Sequence, residues 1–441
     1  MKRLLSLLLC AVLALFCATT AQAAGVSITL TASEYALHYA FDAGAQDPFV
    51  ILEYTTPAEK GWMMLYSEDG HFEGDVSLAY SGAGGKTSVA LTSARTTGSI
   101  GKASTTLLKA ADYQKPTGKS NAKVTDFVLT ETPEGFHYAF NAAGTDYMLL
   151  YWRSKEQTVT QPVYPDENGH YEGDVVSELT FARTQFTVQV KSGSGSMKKE
   201  ATVRKGYQAP EAPQRQEGRL SGVTVCIDAG HQENGRFVKE PIGPGLSGST
   251  SGKGGMAQGT KTNRRESIVC LEIGMLLRDE LLRQGANVIM TREDQTTFHT
   301  NIERCEIAEA GGAQIMLRLH CNNSSNRSKR GIQVYGPLNS DYAKAVADAD
   351  TYREMGQKLL DAMKTRVGMT LANSTGMVRL NDNYVGNNWA KMMCFLVEMG
   401  YLSNPAEEYL LVTPVYQQWL AEGMADGVYE IAVARGWVQA Q

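Results

Sequence analysis

Four ionisable side chains in the second half of the chain have the types and the placement that bond-breaking chemistry needs. His231 follows a short apolar run in Asp228-Ala229-Gly230-His231, and His320 closes another in Arg318-Leu319-His320-Cys321-Asn322. Glu398 ends a third, in Val397-Glu398-Met399-Gly400, and Glu266 stands in the first turn of a long helical pattern. Two histidines with one carboxylate form a zinc donor set that leaves a fourth position for water, as catalytic rather than structural sites do. Zinc is read from donor type, and other divalent ions use the same groups. There is no His-Glu-x-x-His pair, so the residues alone do not say which glutamate is ligand and which is base.

The elements that must position these groups are legible. Val223–Asp228, Val288–Thr291, Ile315–His320, Ile332–Tyr335 and Phe395–Glu398 are apolar runs of strand length. Between the first two, Arg265–Gln284 carries apolar residues at helical spacing, and Gly285 stands where a C-terminal cap belongs. Thr300 with Glu303 forms a capping box that opens a second helix, and Asp341–Val367 is largely helical. Strands alternating with helices predict an α/β layer architecture. Ligands gather at the carboxyl ends of strands in such sheets, so residues far apart in sequence converge there.

The first half reads differently. His38-Tyr39-Ala40-Phe41 recurs as His137-Tyr138-Ala139-Phe140, an offset of 99 residues from 38 to 137. Gly70-His71-Phe72-Glu73-Gly74-Asp75-Val76 recurs at the same offset as Gly169-His170-Tyr171-Glu172-Gly173-Asp174-Val175. One offset shared by two separated strings indicates duplication. Each copy closes on a similar phrase, Tyr113-Gln114-Lys115-Pro116 and Tyr207-Gln208-Ala209-Pro210. Short β-rich runs, with Asp69-Gly70 and Asn168-Gly169 at hairpin turns, predict two small β-sandwich-like repeats over 26–116 and 123–210. A linker follows over 211–219, then the α/β domain over 220–441. His71 and His170, each with acids nearby, read as parts of a repeated turn-and-strand pattern rather than as metal ligands. The repeats are expected to serve an accessory, adhesive role, and their sequence specifies no ligand.

Composition bounds the rest. The chain has 441 residues, 43% apolar and 20% charged, which excludes wholesale disorder and implies more than one domain. A net charge of −5 builds no basic field, so nucleic acid is excluded as a partner. Lys2 and Arg3, the apolar run Leu4–Cys17 and the small residues of Ala21-Gln22-Ala23 predict a secretory signal over 1–23. That run is shorter than the ~20 residues a membrane-spanning helix needs, so the mature chain is expected outside the cytoplasm. Cys226, Cys270, Cys305, Cys321 and Cys394 lie beyond the signal, and an odd number reads as buried thiols rather than a disulfide framework.

Five strings then occur in order. They are Val225-Cys226-Ile227-Asp228-Ala229-Gly230-His231, Arg265-Glu266, Thr291-Arg292-Glu293-Asp294, Leu317-Arg318-Leu319-His320-Cys321-Asn322 and Val397-Glu398-Met399-Gly400-Tyr401-Leu402-Ser403-Asn404. Together, over roughly 220–437, they resemble the zinc-dependent N-acetylmuramoyl-L-alanine amidases of the Amidase_3 type. The resemblance implies a mixed sheet flanked by helices, zinc as cofactor and peptidoglycan as substrate. It implies cleavage between the lactyl group of N-acetylmuramic acid and L-alanine. By position, the family's metal ligands fall on His231, Glu266 and His320, and its catalytic glutamate on Glu398. A zinc peptidase acting on the stem peptide and a degenerate wall-binding protein are the rival readings.

Further residues carry weaker expectations. Asn322 and Arg304 read as substrate or supporting contacts, and equally as turn and helix residues. Trp389 reads as a stacking platform or a core residue, and His299 as solvent-facing. Cys321 is expected to point away from the groove because neighbouring strand residues face opposite ways. The segment from Pro241 to Thr262, rich in glycine, serine and threonine, reads as a mobile rim over the site or as a surface insertion.

Overall fold

The computed structural model describes residues 18–440, apart from 23–25, 33–35, 57–59, 78–82, 96–97, 110–121, 133–134, 146–147, 154–157, 177–183, 193–195, 206–210, 234–237, 251–254 and 368–376. Of the signal expected over 1–23, residues 1–17 and 23 lie outside the described residues, as do the phrases Tyr113–Pro116 and Tyr207–Pro210, whereas Ala18–Gln22 forms a strand paired with Ser27–Ala32. Among those described, no helix is long and apolar enough to cross a membrane.

The N-terminal region consists of small antiparallel sheets. In the first stretch, β1 (Ala18–Gln22), β2 (Ser27–Ala32), β3 (Ala36–Asp42) and β6 (His71–Ser77) make one sheet, in the order β1-β2-β3-β6. The other holds β4 (Phe49–Thr55), β5 (Lys60–Tyr66), β7 (Ala83–Ser93) and β8 (Ser99–Lys109), in the order β5-β4-β7-β8. The two sheets share one apolar cluster, in which Leu30, Leu37 and Phe41 meet Leu52, Val89 and Leu91. In the second stretch, β9 (Val124–Thr132), β10 (Gly135–Ala142) and β13 (His170–Val176) form a three-stranded sheet. Beside it, β11 (Met148–Arg153), β12 (Thr158–Val163), β14 (Thr184–Ser192) and β15 (Met197–Lys205) form a four-stranded one.

The recurring strings occupy matching registers, with His38 opposite Asp75 and His137 opposite Asp174. Their glycines have a packing reason. A Cβ on Gly74 would lie 2.7 Å from the Tyr39 hydroxyl, and one on Gly173 would lie 2.8 Å from that of Tyr138. The histidines face outward: His71 pairs with Asp42 at 2.7 Å, and His170 with Asn141 at 2.7 Å.

The C-terminal half is a six-stranded mixed sheet with helices on both faces. Its strands are β16 (Thr224–Ala229), β17 (Asn287–Met290), β18 (Ile315–Asn322), β19 (Gln333–Gly336), β20 (Met377–Leu380) and β21 (Met393–Tyr401), in the order β17-β16-β18-β21-β19-β20. Only the β19–β21 pairing is antiparallel. The helices are α1 (Glu266–Arg283), α2 (Asn301–Ala310), α3 (Asp341–Val346), α4 (Ala349–Val367), α5 (Val385–Trp389), α6 (Pro405–Leu411) and α7 (Pro414–Ala434). The helical pattern over Asp341–Val367 is therefore two helices, broken where Ala347 adopts an extended conformation. β20, α5, α6 and α7 lie beyond the elements read from the sequence.

Strand alternation decides what each face does. On β18, Ile315, Leu317, Leu319 and Cys321 enter the main core, which α1, α4 and α7 cover. The intervening Arg318, His320 and Asn322 face a groove on the other side. Near the opposite end of that polar face, Cys226, Met316 and Cys394 make a second cluster with Cys305 and Ala308 of α2. All five cysteines in this half are buried and unpaired.

The first β region is not a separate bead. Phe49 is 1% exposed and belongs to the main core of the C-terminal half. Its ring lies 5.8 Å from Tyr416 and 5.2 Å from Trp419, both edge-on. Trp62 lies 4.2 Å from Tyr409, and Ile51 joins Ala406 and Tyr409. Arg330, just before β19, donates to the Ala94 carbonyl at 3.0 Å.

Candidate metal centre and active site

His231 owes its position to a clamp. Past the end of β16, Gly230 donates to the Leu319 carbonyl at 2.9 Å, where a Cβ would lie 2.5 Å from that oxygen and 2.6 Å from His320 Cε1. His231 then takes φ 58°, a left-handed conformation unusual for a side-chain-bearing residue. Two buried arginines hold the carbonyls on either side of that turn. Arg292 donates to Ala229 and Gly230 at 2.7 and 2.8 Å, and Arg304 donates to Ala229 and His231 at 2.9 and 3.2 Å. Beneath them Asp228 is fully buried, paired with Arg304 and with Arg318 (2.9 Å) and accepting from Thr291 at 2.8 Å. Burial alone would raise its carboxyl, but the two guanidinium groups outweigh that and hold it far below the usual range.

Glu266 is the hub of the donor set. One carboxylate oxygen accepts from Ala257 N–H at 2.8 Å and faces His231 Nε2 at 3.2 Å. The other accepts from Cys321 N–H at 3.0 Å and faces His320 Nδ1 at 3.0 Å. Burial opposes its charge, yet the two histidines hold the carboxyl well below its ordinary value. Burial also lowers the pKa of His320, which favours the neutral, metal-binding imidazole. One atom from each of His231, Glu266 and His320 lies within 4.8 Å of the others.

Glu398 stands beside this trio. It is the register partner of His320 across β18 and β21, so both side chains rise from one face. Its Oε2 is buried without a hydrogen-bond partner, and burial followed by the Glu266 charge pushes its carboxyl up to about 8. A buried oxygen left unpaired costs about 1–3 kcal/mol and marks a place built for a missing group. The donor set and this orphaned oxygen both fit a divalent cation with a water or substrate beside it.

The four side chains share a groove of about 470 Å³, and Asn322 and Tyr384 line it with them. Arg304 is 4% exposed and spends its donors inward, so it braces His231 rather than touching substrate. Trp389 also lies away from the groove: its Nε1 donates to the Pro241 carbonyl at 3.0 Å, and its ring stands edge-on to Tyr342. His299 is half-buried, and its carbonyl accepts from Arg304 at 3.2 Å.

Of the Pro241–Thr262 segment, the described parts are tethered rather than free. Asn388 donates to the Ile242 carbonyl, and the Glu408 carboxylate accepts the N–H groups of Thr260, Lys261 and Thr262. Residues 251–254 lie outside the described residues. Sequence reasoning missed Asp228, Arg292 and Arg318 as a buried charge network. The signal was available, since an aspartate and an arginine inside apolar strand runs must find partners.

Known proteins share this half of the chain. Residues 225–430 match the Amidase_3 family, described as N-acetylmuramoyl-L-alanine amidase. The chain is 26% identical over 231 residues to a germination-specific N-acetylmuramoyl-L-alanine amidase of Bacillus subtilis, covering 49% of this chain and 83% of that protein. It is 27% identical over 218 residues to the probable cell wall amidase LytH of Staphylococcus aureus, covering 48% of this chain and 60% of that protein. A crystal structure of an N-acetylmuramoyl-L-alanine amidase from Clostridium difficile 630 aligns at 24% identity and a TM-score of 0.38, over 48% of this chain and 96% of that one. The half of the chain that carries His231, Glu266, His320 and Glu398 belongs to the N-acetylmuramoyl-L-alanine amidase family, Amidase_3.

Proposed function

We propose that this chain is an exported, zinc-dependent peptidoglycan hydrolase that cleaves the amide joining N-acetylmuramic acid to L-alanine. The observation that carries the reading is the orphaned Glu398 oxygen, set in one groove with the His231–Glu266–His320 donor set. When bound, zinc supplies a Lewis acid for the scissile carbonyl and a lowered pKa for water. His231, Glu266 and His320 hold the ion. Glu266, anchored by two backbone N–H groups, keeps the two imidazoles converged. Glu398 takes the proton from the attacking water and returns it to the departing alanine nitrogen, acting first as base and then as acid. Its elevated pKa suits a group that must hold a proton between those two steps.

Residues 1–23 act as a secretory signal, and 26–116 and 123–210 as β-sandwich-like repeats that contact a wall ligand. Residues 211–219 link them to the hydrolase domain, 220–441. The matching registers around His38 and His137 support the duplication.

Mass spectrometry of peptidoglycan digested with the mature protein, with and without chelator, tests the reading. Free stem peptides beginning at L-alanine, lost on chelation and restored by zinc, are expected. Shortened stems still attached to sugar would make it a peptidase, and no product from folded, metal-loaded protein would leave a binding role.

A further inference from the structure

The outer face of the β5-β4-β7-β8 sheet changes character along its length. At one end, Phe49 and Ile51 of β4 and Trp62 of β5 press against α6 and α7. Glu53 and Thr55 continue the same face of β4, because every second residue of a strand points the same way. Register carries that face across the sheet. Thr55 lies between Lys60 and Ser88, Ser88 lies beside Ser104, and Ala90 beside Lys102. Past Trp62 the face is therefore polar and open.

This end forms a groove of about 670 Å³, lined by Lys60, Lys86 and Lys102 together with Thr55, Ser88 and Ser104. The three lysines are exposed, and among the described residues Glu53 is the one acid in the lining. A cationic surface thus stands on a chain whose net charge is −5. Strand geometry sets the three lysine Cα atoms roughly 12–14 Å apart, which suits separate charges along one extended ligand rather than one small anion. Between them runs a row of hydroxyls, each both donor and acceptor, as sugar hydroxyls are.

The lysines are not a property of the repeat. In the second β region the same register places Thr158, Gln185 and Glu200 at the positions of Lys60, Lys86 and Lys102. Duplication kept the strands and not this charge.

We propose that the groove binds the glycan that stem removal leaves behind, with Lys60, Lys86 and Lys102 on its carboxylates. The proposal rests on the amidase reading above. Each muramic residue that loses its stem gains a free lactyl carboxylate, so the product is a sugar chain with a negative charge repeating along it. A hydrolase equipped this way stays on strands it has already stripped.

Calorimetry of the zinc-loaded full-length chain with soluble, peptide-free glycan oligomers tests the site. The triple variant Lys60→Gln, Lys86→Gln, Lys102→Gln should raise Kd about tenfold. Arginine at the same three positions keeps the charge and should stay within about threefold of wild type. Removing three exposed cations from the second region, by Arg153→Gln, Lys199→Gln and Arg204→Gln, should leave Kd unchanged. Coupling the lactyl carboxylates to methylamine should abolish the glutamine penalty, because both partners of each pair are then gone. A penalty that survives this coupling, equal losses in the two regions, or no effect of the lysine triple overturns the site, as does failure of wild type to bind. Tighter lysine-dependent binding of poly(glycerol phosphate) overturns the glycan as occupant. If wild type cleaves the muramic amide while the lysine triple binds glycan normally, only the groove assignment falls. If the lysine penalty appears but no cleavage does, only the amidase reading falls.

Discussion

The Arg304 guanidinium donates to the main-chain carbonyl of His231 at 3.2 Å, the residue of the donor set whose backbone is left-handed. The same side chain pairs with buried Asp228, so the charge that holds the strand end also holds the ligand's backbone. A turn residue in that conformation persists only where its surroundings over-determine it.

Arg304→Met should therefore loosen the metal without touching a ligand. Loss of a group supporting a metal ligand lowers affinity by about 10–100-fold. Asp228 keeps Arg318, so a destabilisation toward the lower end of the ~3–5 kcal/mol range for a broken buried pair is expected. Zinc competition against a chromogenic chelator, read beside thermal melting, checks both. Wild-type zinc affinity in the variant would remove Arg304 from the clamp.

Gly230→Ala should act through His320. The added methyl would sit 2.6 Å from the imidazole Cε1 and 2.5 Å from the Leu319 carbonyl, and the backbone cannot yield as a side chain would. The expected outcome is zinc content below half of wild type in a folded protein, measured by atomic emission with circular dichroism as the folding control.

Glu398→Gln should retain metal and lose turnover by at least about 10²-fold, the lower range for a general acid–base group. The carboxyl is raised from an ordinary 4.5 to about 8 in the metal-free protein. Its protonated form is thus favoured by the fold. The associated stability is complete below about pH 4.5 and is lost as pH rises through about 8. Metal-free wild type should lose roughly 1–3 kcal/mol relative to Glu398→Gln between pH 5 and pH 9, which paired urea titrations can measure. Activity runs the other way, since the base is the ionised form: kcat/KM rises with pH, and a bound cation draws that limb below 8.

Phe49→Ala should weaken the junction between the first β region and α6–α7. The ring is 1% exposed against Tyr416 and Trp419, and deleting such a side chain costs about 3–5 kcal/mol. Calorimetry should show a lower Tm, and limited proteolysis faster cutting of the N-terminal region. An unchanged melt would mean the contact is dispensable.

The α/β half was largely legible because its strands alternate cleanly. Leu317-Arg318-Leu319-His320-Cys321 shows period two, and the Cys321 side chain joins the main core while His320 stands in the groove with Glu266 and His231. Convergence of His231, His320 and Glu398 followed from their places at strand ends, and Glu266 joins them from the first turn of α1. α7 was harder to read: it is apolar almost all round, buried between neighbours, and has little of the one-sided pattern that announces a surface helix. Docking of the first β region was written in Phe49-Val50-Ile51-Leu52, an apolar run without alternation. Val50 and Leu52 fill that region's own core, and Phe49 and Ile51 fill the contact with the other half. Sequence identifies a strand buried on both faces but not what covers the second one. The Arg304 and Trp389 roles were invisible for a similar reason, because a side chain's direction depends on partners far along the chain.

The shared core around Phe49 moves the molecule's mechanical seam. The proline-bearing stretch after residue 210 looks like the natural place to separate the β regions from the α/β half. A cut there would strip Tyr409, Tyr416 and Trp419 of their cover and remove the carbonyl that Arg330 uses. Under the wall attachment proposed above, load on the first β region would be delivered sideways into α6 and α7 rather than along the peptide connector. Glu407 in α6 accepts the N–H groups of Gly331, just before β19, and Tyr401, at the end of β21. An anchored enzyme of this build would feel tension in the strands that carry Gln333 and Glu398.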